Sequence, residues 1–119
     1  AVGLNIASTI SLELCMFNKP VINIGYNPPE LNPNTLDFRR YYEFDHYRPL
    51  VERGAVALAK SEDELRALLR KALTEPQAGS LQRQTFIRDM FGRTLDGYSG
   101  LRVADRLIQI AGAGSARTV

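Results

Sequence analysis

An α/β fold with a parallel sheet is what this sequence predicts, on three observations. A strand-length apolar run, "VGLNI" (2–6), leads almost directly into a helix-length apolar segment, "STISLELCMFN" (8–18). The tripeptide "NKP" stops that segment, and "PVINIGY" (20–26) follows as a second run rich in β-branched residues. Strand, buried helix and strand joined by short connections make a βαβ unit, which requires the two strands to lie parallel.

The elements follow in order. Ser8 or Thr9 is a good N-cap for a helix reaching to about Asn18. Ile10, Leu12, Leu14, Cys15, Met16 and Phe17 fall on nearly every face of it, so it is expected to be mostly buried. Pro20 cannot continue a helix, and the strand after it ends at Gly25. Residues 27–50, "NPPELNPNTLDFRRYYEFDHYRPL", are rich first in Pro and Asn and then in aromatics mixed with Arg; they predict an irregular loop with one short helical turn. A short helix from Tyr47 closes at Gly54, and "AVALA" (55–59) makes a third strand. In "SEDELRALLRKALTEP" (61–76), Ser61 and Glu64 form a capping box, Leu65, Leu68, Leu69 and Ala72 form one stripe, and Pro76 ends the helix. A further helix spans about Leu81 to Met90. A last one runs from about Ser99 to Ala111 with Leu101, Ala104, Leu107 and Ile108 inward, after which "GAGSARTV" (112–119) is expected to fray.

Composition narrows the function classes. The 119 residues, 45% hydrophobic and 24% charged, suit one globular domain with one core. Fifteen Lys and Arg against 13 acids give a net charge of +2, too balanced for nucleic acid or an anionic membrane to be the expected partner. The single cysteine, Cys15, sits within an apolar run, where it reads as a small buried hydrophobe; no intrachain disulfide can form, which suits a cytoplasmic location. No apolar stretch is long enough to span a bilayer. Because a strand runs into a helix from Ala1 without any leader, the chain is expected to be the trailing part of a longer protein.

The candidate chemistry lies at the first helix. Its opening presents unpaired backbone N–H groups, with Ala7, Ser8 and Thr9 there to receive an anion such as a diphosphate. Glu13 follows Thr9 by four residues, about one turn, so both side chains point to one side. A diphosphate at Ser8 and Thr9 would leave its ribose about a turn further on, where a carboxylate can accept hydrogen bonds from two vicinal hydroxyls. The spacing alone also fits a bland alternative, in which the hydroxyls only cap the helix and Glu13 occupies its one solvated edge.

"STISLELCMFNKPVINIGY", "DHYRPLVERGAVALAKSEDELRALLRKAL" and "DGYSGLRVADRLIQI" resemble the C-terminal nucleotide-binding half of GT-B fold glycosyltransferases. Within that superfamily the chain is most similar to CDP-glycerol glycerophosphotransferases, and more distantly to UDP-N-acetylglucosamine 2-epimerases. The resemblance implies a Rossmann-like domain that binds a nucleotide-diphosphate-activated donor. It places Ser8 and Thr9 on the diphosphate loop, Glu13 on the ribose, and Lys19-Pro20 at the start of the next strand. The order of elements agrees over nearly the whole chain, but the specific motif is confined to residues 7–20; Asp96, Gly97 and Arg102 belong to a generic terminal-helix pattern and read as structural. Complete enzymes of this kind carry a second, N-terminal domain across the active-site cleft. That domain and the first elements of the nucleotide-binding domain are missing here, so the chain alone is not expected to catalyse transfer, the catalytic residues are left unassigned, and any peripheral membrane association would come through the missing parts.

In the long loop, "RRYYEFDHYR" (39–48) could offer Arg39 or Arg40 to an anionic donor or acceptor, Tyr41 or Tyr42 as a stacking face and His46 as a proton carrier. Equally, the segment could be a surface loop pinned by its own aromatics. Asp37, Glu43 and Asp45 dilute its charge and argue against nucleic acid. One histidine, one cysteine and no clustered carboxylates make no metal site, and no metal or other cofactor is expected. Two rivals stand beside the transferase: an epimerase with the same cradle, and a non-catalytic α/β module that binds a protein partner through residues 28–48.

Overall fold

The computed structural model describes residues 1–32, 34 and 36–115. They comprise β1 (Gly3–Asn5), α1 (Ile10–Met16), β2 (Val21–Ile24), a 3-10 turn (Phe38–Glu43), α2 (Arg48–Glu52), β3 (Ala57–Ala59), α3 (Glu62–Thr74), α4 (Ser80–Phe91) and α5 (Ser99–Ser115). The three strands form one parallel sheet in the order β1-β2-β3, with Leu4 opposite Ile22 and Asn23 opposite Leu58. The expected βαβ unit is therefore present, and the chain is mixed α/β.

Helices cover both faces of the sheet. Successive β2 side chains point to opposite sides. Asn23 bonds to Ser11 of α1, while Ile22 shares a cavity wall with Leu68 of α3. Ile22, Leu50, Cys15 and Ala59 are among the core side chains almost wholly withdrawn from solvent. Gly3 lets α1 lie close on β1: a Cβ there would stand 2.3 Å from Leu14 Cδ1, inside any real contact distance.

Helix α1 is shorter and more exposed than its composition suggests. It ends at Met16, because Asn18 takes a left-handed backbone (φ 53°) and the Asn18 and Lys19 N–H groups turn back onto Cys15 and Leu14 carbonyls. Only Ser11 and Cys15 of this helix are buried, whereas Ile10 and Phe17 are 49% and 74% exposed. One side of the helix packs on the sheet, and Ile10, Glu13 and Phe17 share the other.

In α3 the expected stripe holds: Leu65, Leu68, Leu69 and Ala72 are its only half-buried residues. Ser61 Oγ accepts from Glu64 N–H at 3.2 Å, and the Glu64 carboxylate reaches back to the N–H of Lys60, one residue before the cap, at 2.8 Å.

The chain divides into two compact units, residues 1–89 and 90–119. In the second, Asp96 accepts from Tyr98 N–H and pairs with Arg102 in the first turn of α5, and Gly97 has φ 83°, so these three residues shape the entry to that helix. Within this second unit no described element packs on the stripe expected to face inward, and Leu101, Leu107 and Ile108 are more than 60% exposed. Helix α5 also runs past Ala111 to Ser115; the expected fraying of residues 116–119 lies outside the described residues.

Candidate functional site

The carboxyl ends of parallel strands are where open α/β sheets receive ligands. Here the turn Ala7–Thr9 leaves the carboxyl end of β1, and Gly25 and Lys60 follow the carboxyl ends of β2 and β3.

At the turn, one of the three expected phosphate donors is already engaged. Ala7 N–H donates to Tyr42 Oη at 3.2 Å, and that hydroxyl donates to the Ile24 carbonyl at 2.7 Å, so Tyr42 ties the turn to the end of β2. Burial pushes the Tyr42 phenol up to about 12, which keeps it a proton donor. Among the described residues the N–H groups of Ser8 and Thr9 have no acceptor. Thr9 occupies the N-cap with helical backbone angles (φ −58°, ψ −22°) and its side chain makes no cap bond; Ser8 Oγ accepts from Ile10 N–H at a long 3.3 Å. Ser8 Oγ thus serves as a long cap to the helix start, whereas the Thr9 side chain makes no cap bond. Glu13 is exposed, and among the described residues its carboxylate has no hydrogen bond or ion pair.

Beside the turn lies a buried polar ring that sequence reasoning missed. Ser11 Oγ donates to Asn23 Oδ1 (3.0 Å), Asn23 Nδ2 donates to Tyr47 Oη (2.7 Å), and Tyr47 Oη donates back to Ser11 Oγ (2.8 Å). Asn5 Nδ2 adds a bond to Ser11 Oγ at 2.9 Å, which uses the second acceptor site of that hydroxyl. Each hydroxyl donates once around the ring, an arrangement in which neighbouring bonds polarise one another. Ser11 and Asn23 are fully withdrawn from solvent, so the ring links β1, α1, β2 and the start of α2 through groups that must stay paired. A signal was available: Ser11 and Asn23 are single polar residues inside apolar runs.

The long loop folds back against this edge. Asn27 pinches it, donating to the Leu36 carbonyl at 2.7 Å and accepting from Phe38 N–H at 2.9 Å. Between the loop and the sheet lies a cavity of about 580 Å³. Its floor is Gly25 and Leu58, Tyr42 and Val51 add apolar wall, and Arg39, Glu43, Arg48, Glu52 and Lys60 surround it. Of the loop residues singled out from sequence, Arg39 lines this cavity and Arg40 and His46 do not. Asp37 grips Arg39 at two points, 2.9 and 2.7 Å, and the guanidinium in turn holds the Asp37 carboxyl below its ordinary value. His46 is exposed and stacked on Phe44 at 5.8 Å. Tyr42 and Tyr47 meet edge to face at 5.5 Å and Tyr41 meets Phe44 likewise at 6.0 Å, so neither Tyr41 nor Tyr42 offers an open stacking face on both sides.

Two further buried groups have structural partners. Cys15 Sγ lies 3.5 Å from the Ala55 carbonyl, and burial pushes its thiol up to about 11. Arg83, 3% exposed, donates to Asn18 Oδ1 at 3.1 Å and to the Ala78 and Pro76 carbonyls at 2.9 and 3.4 Å, which clasps the end of α1 to the α3–α4 connection. Among the described residues no group of three or more His, Cys, Asp or Glu is placed to hold a metal ion, and no helix is long and apolar enough to cross a membrane. In comparisons with known proteins the chain matches no family model, no curated protein and no solved structure.

Proposed function

We propose that this chain is the donor-nucleotide-binding portion of a Rossmann-like, GT-B type glycosyltransferase or glycerophosphotransferase, acting together with a further domain of the same protein. The observation that carries the reading is the pairing of two unengaged features on one side of α1. The Ser8 and Thr9 N–H groups stand open at the carboxyl edge of a parallel sheet, and one turn along, the Glu13 carboxylate has no partner within the described residues. N–H donors suit the diphosphate oxygens, and the carboxylate suits two vicinal ribose hydroxyls. In such a transferase these groups orient the donor and stabilise charge on the departing nucleoside diphosphate. An epimerase would use the same cradle and gives the same binding expectations.

Calorimetric titration of the full chain with UDP, CDP and GDP tests this. At least one should bind saturably, and Glu13→Ala should weaken it by about 1–3 kcal/mol, or about 5- to 150-fold, by removing hydrogen bonds to a charged acceptor. Unchanged affinity in Glu13→Ala would take the carboxylate off the ribose.

A second reading, a module that binds a protein partner through residues 28–48, is favoured by one observation: Phe44 in that segment is a large apolar side chain 49% exposed. It expects no nucleotide binding at all.

A further inference from the structure

We propose that the cavity at the carboxyl ends of β2 and β3 seats a phosphorylated sugar or polyol, with Lys60 as the residue that reads its phosphate. The assignment rests on the donor-binding reading for its place in the reaction, since Tyr42 is a wall shared by the cavity and the Ala7–Thr9 turn.

The charges around the cavity are unequal in kind. Arg39 is engaged by Asp37, and Arg48 is held by Asp45 at 2.9 Å and by Glu52 at 3.8 Å. These guanidiniums are oriented, and their charge is largely balanced before any ligand arrives. Lys60 differs: its backbone N–H is used by Glu64, but among the described residues its ammonium has no carboxylate partner. A compact cation on a flexible stem at the mouth of a concave site is suited to a phosphate monoester, where three oxygens can be met from several angles.

The remaining lining fits the body of such a ligand. Glu43 and Glu52 are exposed carboxylates on the cavity wall, and carboxylates accept from neutral hydroxyls without being neutralised by them. Leu58, Val51 and the Tyr42 ring supply the apolar surface on which the C–H face of a sugar can lie. Gly25 keeps the floor open, because a Cβ there would come 2.6 Å from Leu58 Cδ1 and press that side chain into the space. A volume of about 580 Å³ is within the range of small-molecule sites, about 300–1,000 Å³. A nonpolar or neutral ligand would leave the Lys60 ammonium unanswered.

The test is an NMR titration of the full chain with glucose 6-phosphate, glucose and inorganic phosphate, following the amides of Gly25, Leu58 and Lys60. Glucose 6-phosphate should give saturable shifts at these amides and bind about tenfold or more tightly than either glucose or phosphate alone. Lys60→Ala should abolish that preference over glucose and Lys60→Arg should keep most of it. Lys60 is exposed and its side chain makes no hydrogen bond or ion pair among the described residues, so both variants should retain the native amide spectrum. Neither should alter nucleoside diphosphate affinity, and Glu13→Ala should leave the sugar phosphate response intact, so the two sites fail or stand separately. Equal binding of glucose and glucose 6-phosphate, an unchanged preference in Lys60→Ala, or shifts confined to other parts of the chain would overturn the assignment.

Discussion

Replacing Tyr47 with Phe tests whether the ring of Ser11, Asn23 and Tyr47 is what holds the carboxyl edge together. The change removes one hydroxyl and no other volume, so the edge-to-face contact with Tyr42 at 5.5 Å is kept. Ser11 Oγ retains its bond from Asn5 and its donation to Asn23, and therefore stays paired. The group left without a partner is the Asn23 amide hydrogen that spanned 2.7 Å to Tyr47, at a residue 0% exposed. One buried donor orphaned costs about 1–3 kcal/mol, and the absence of competing losses points to the middle, about 2 kcal/mol. Ser11→Ala should cost more, about 3 kcal/mol, because it strands Asn5 Nδ2, Asn23 Oδ1 and the Tyr47 hydroxyl at once. Urea denaturation of the two single variants and the double variant measures all three terms. The double should cost less than the sum by about 1 kcal/mol, since the second change removes groups already stranded by the first. A Tyr47→Phe cost below about 0.5 kcal/mol, or strict additivity, would refute the ring as a cooperative unit.

Arg83→Met should destabilise the chain by about 2 kcal/mol in the same assay, with Arg83→Lys recovering only part, because three acceptors around Arg83 lose a donor that no other geometry supplies; a Met variant as stable as the parent would mean that relief from burying an uncompensated cation outweighs those bonds. Burial raises the Cys15 thiol from an ordinary 9.0 to about 11. The unfolded thiol therefore ionises first as pH rises, so the contribution from this group is fully present below pH 9.0 and is lost between there and about pH 11. Native-state alkylation at pH 8 should be slow and should track unfolding, and rapid alkylation there would contradict the burial.

The parts of the fold legible in the sequence are those written in local patterns. The β-branched run in "PVINIGY", the Ser61–Glu64 spacing and the Leu65, Leu68, Leu69, Ala72 stripe each depend on neighbours a few residues apart, and each has its counterpart in β2 and α3. The ring was not legible because its partners lie 12 to 36 positions apart: Ser11 and Asn23 announce only that they need partners, and Tyr47 is one tyrosine among five. Arg83 was overlooked for the same reason, its acceptor Asn18 being 65 residues away. Helix α1 was expected to be mostly buried because apolar composition says how much surface could be covered and not what covers it; Ile10 and Phe17 remain open. At the site, Ala7, Ser8, Thr9 and Glu13 are contiguous enough to be proposed from spacing, but the engagement of Ala7 by Tyr42 depends on how the long loop folds back. Lys60 escaped notice as an unremarkable residue ahead of a capping box, and only the return of β3 to the side of β2 brings it to the cavity.

The most direct measurement compares a nucleoside diphosphate with its 2′-deoxy counterpart by calorimetry, on the parent chain and on Glu13→Ala. If Glu13 grips the vicinal ribose hydroxyls, the parent should prefer the ribonucleotide by about tenfold, the worth of one charge-assisted hydrogen bond, and Glu13→Ala should bind both forms equally. Equal binding of the two forms by the parent, or a preference that survives in Glu13→Ala, would contradict the assignment of this carboxylate to a ribose.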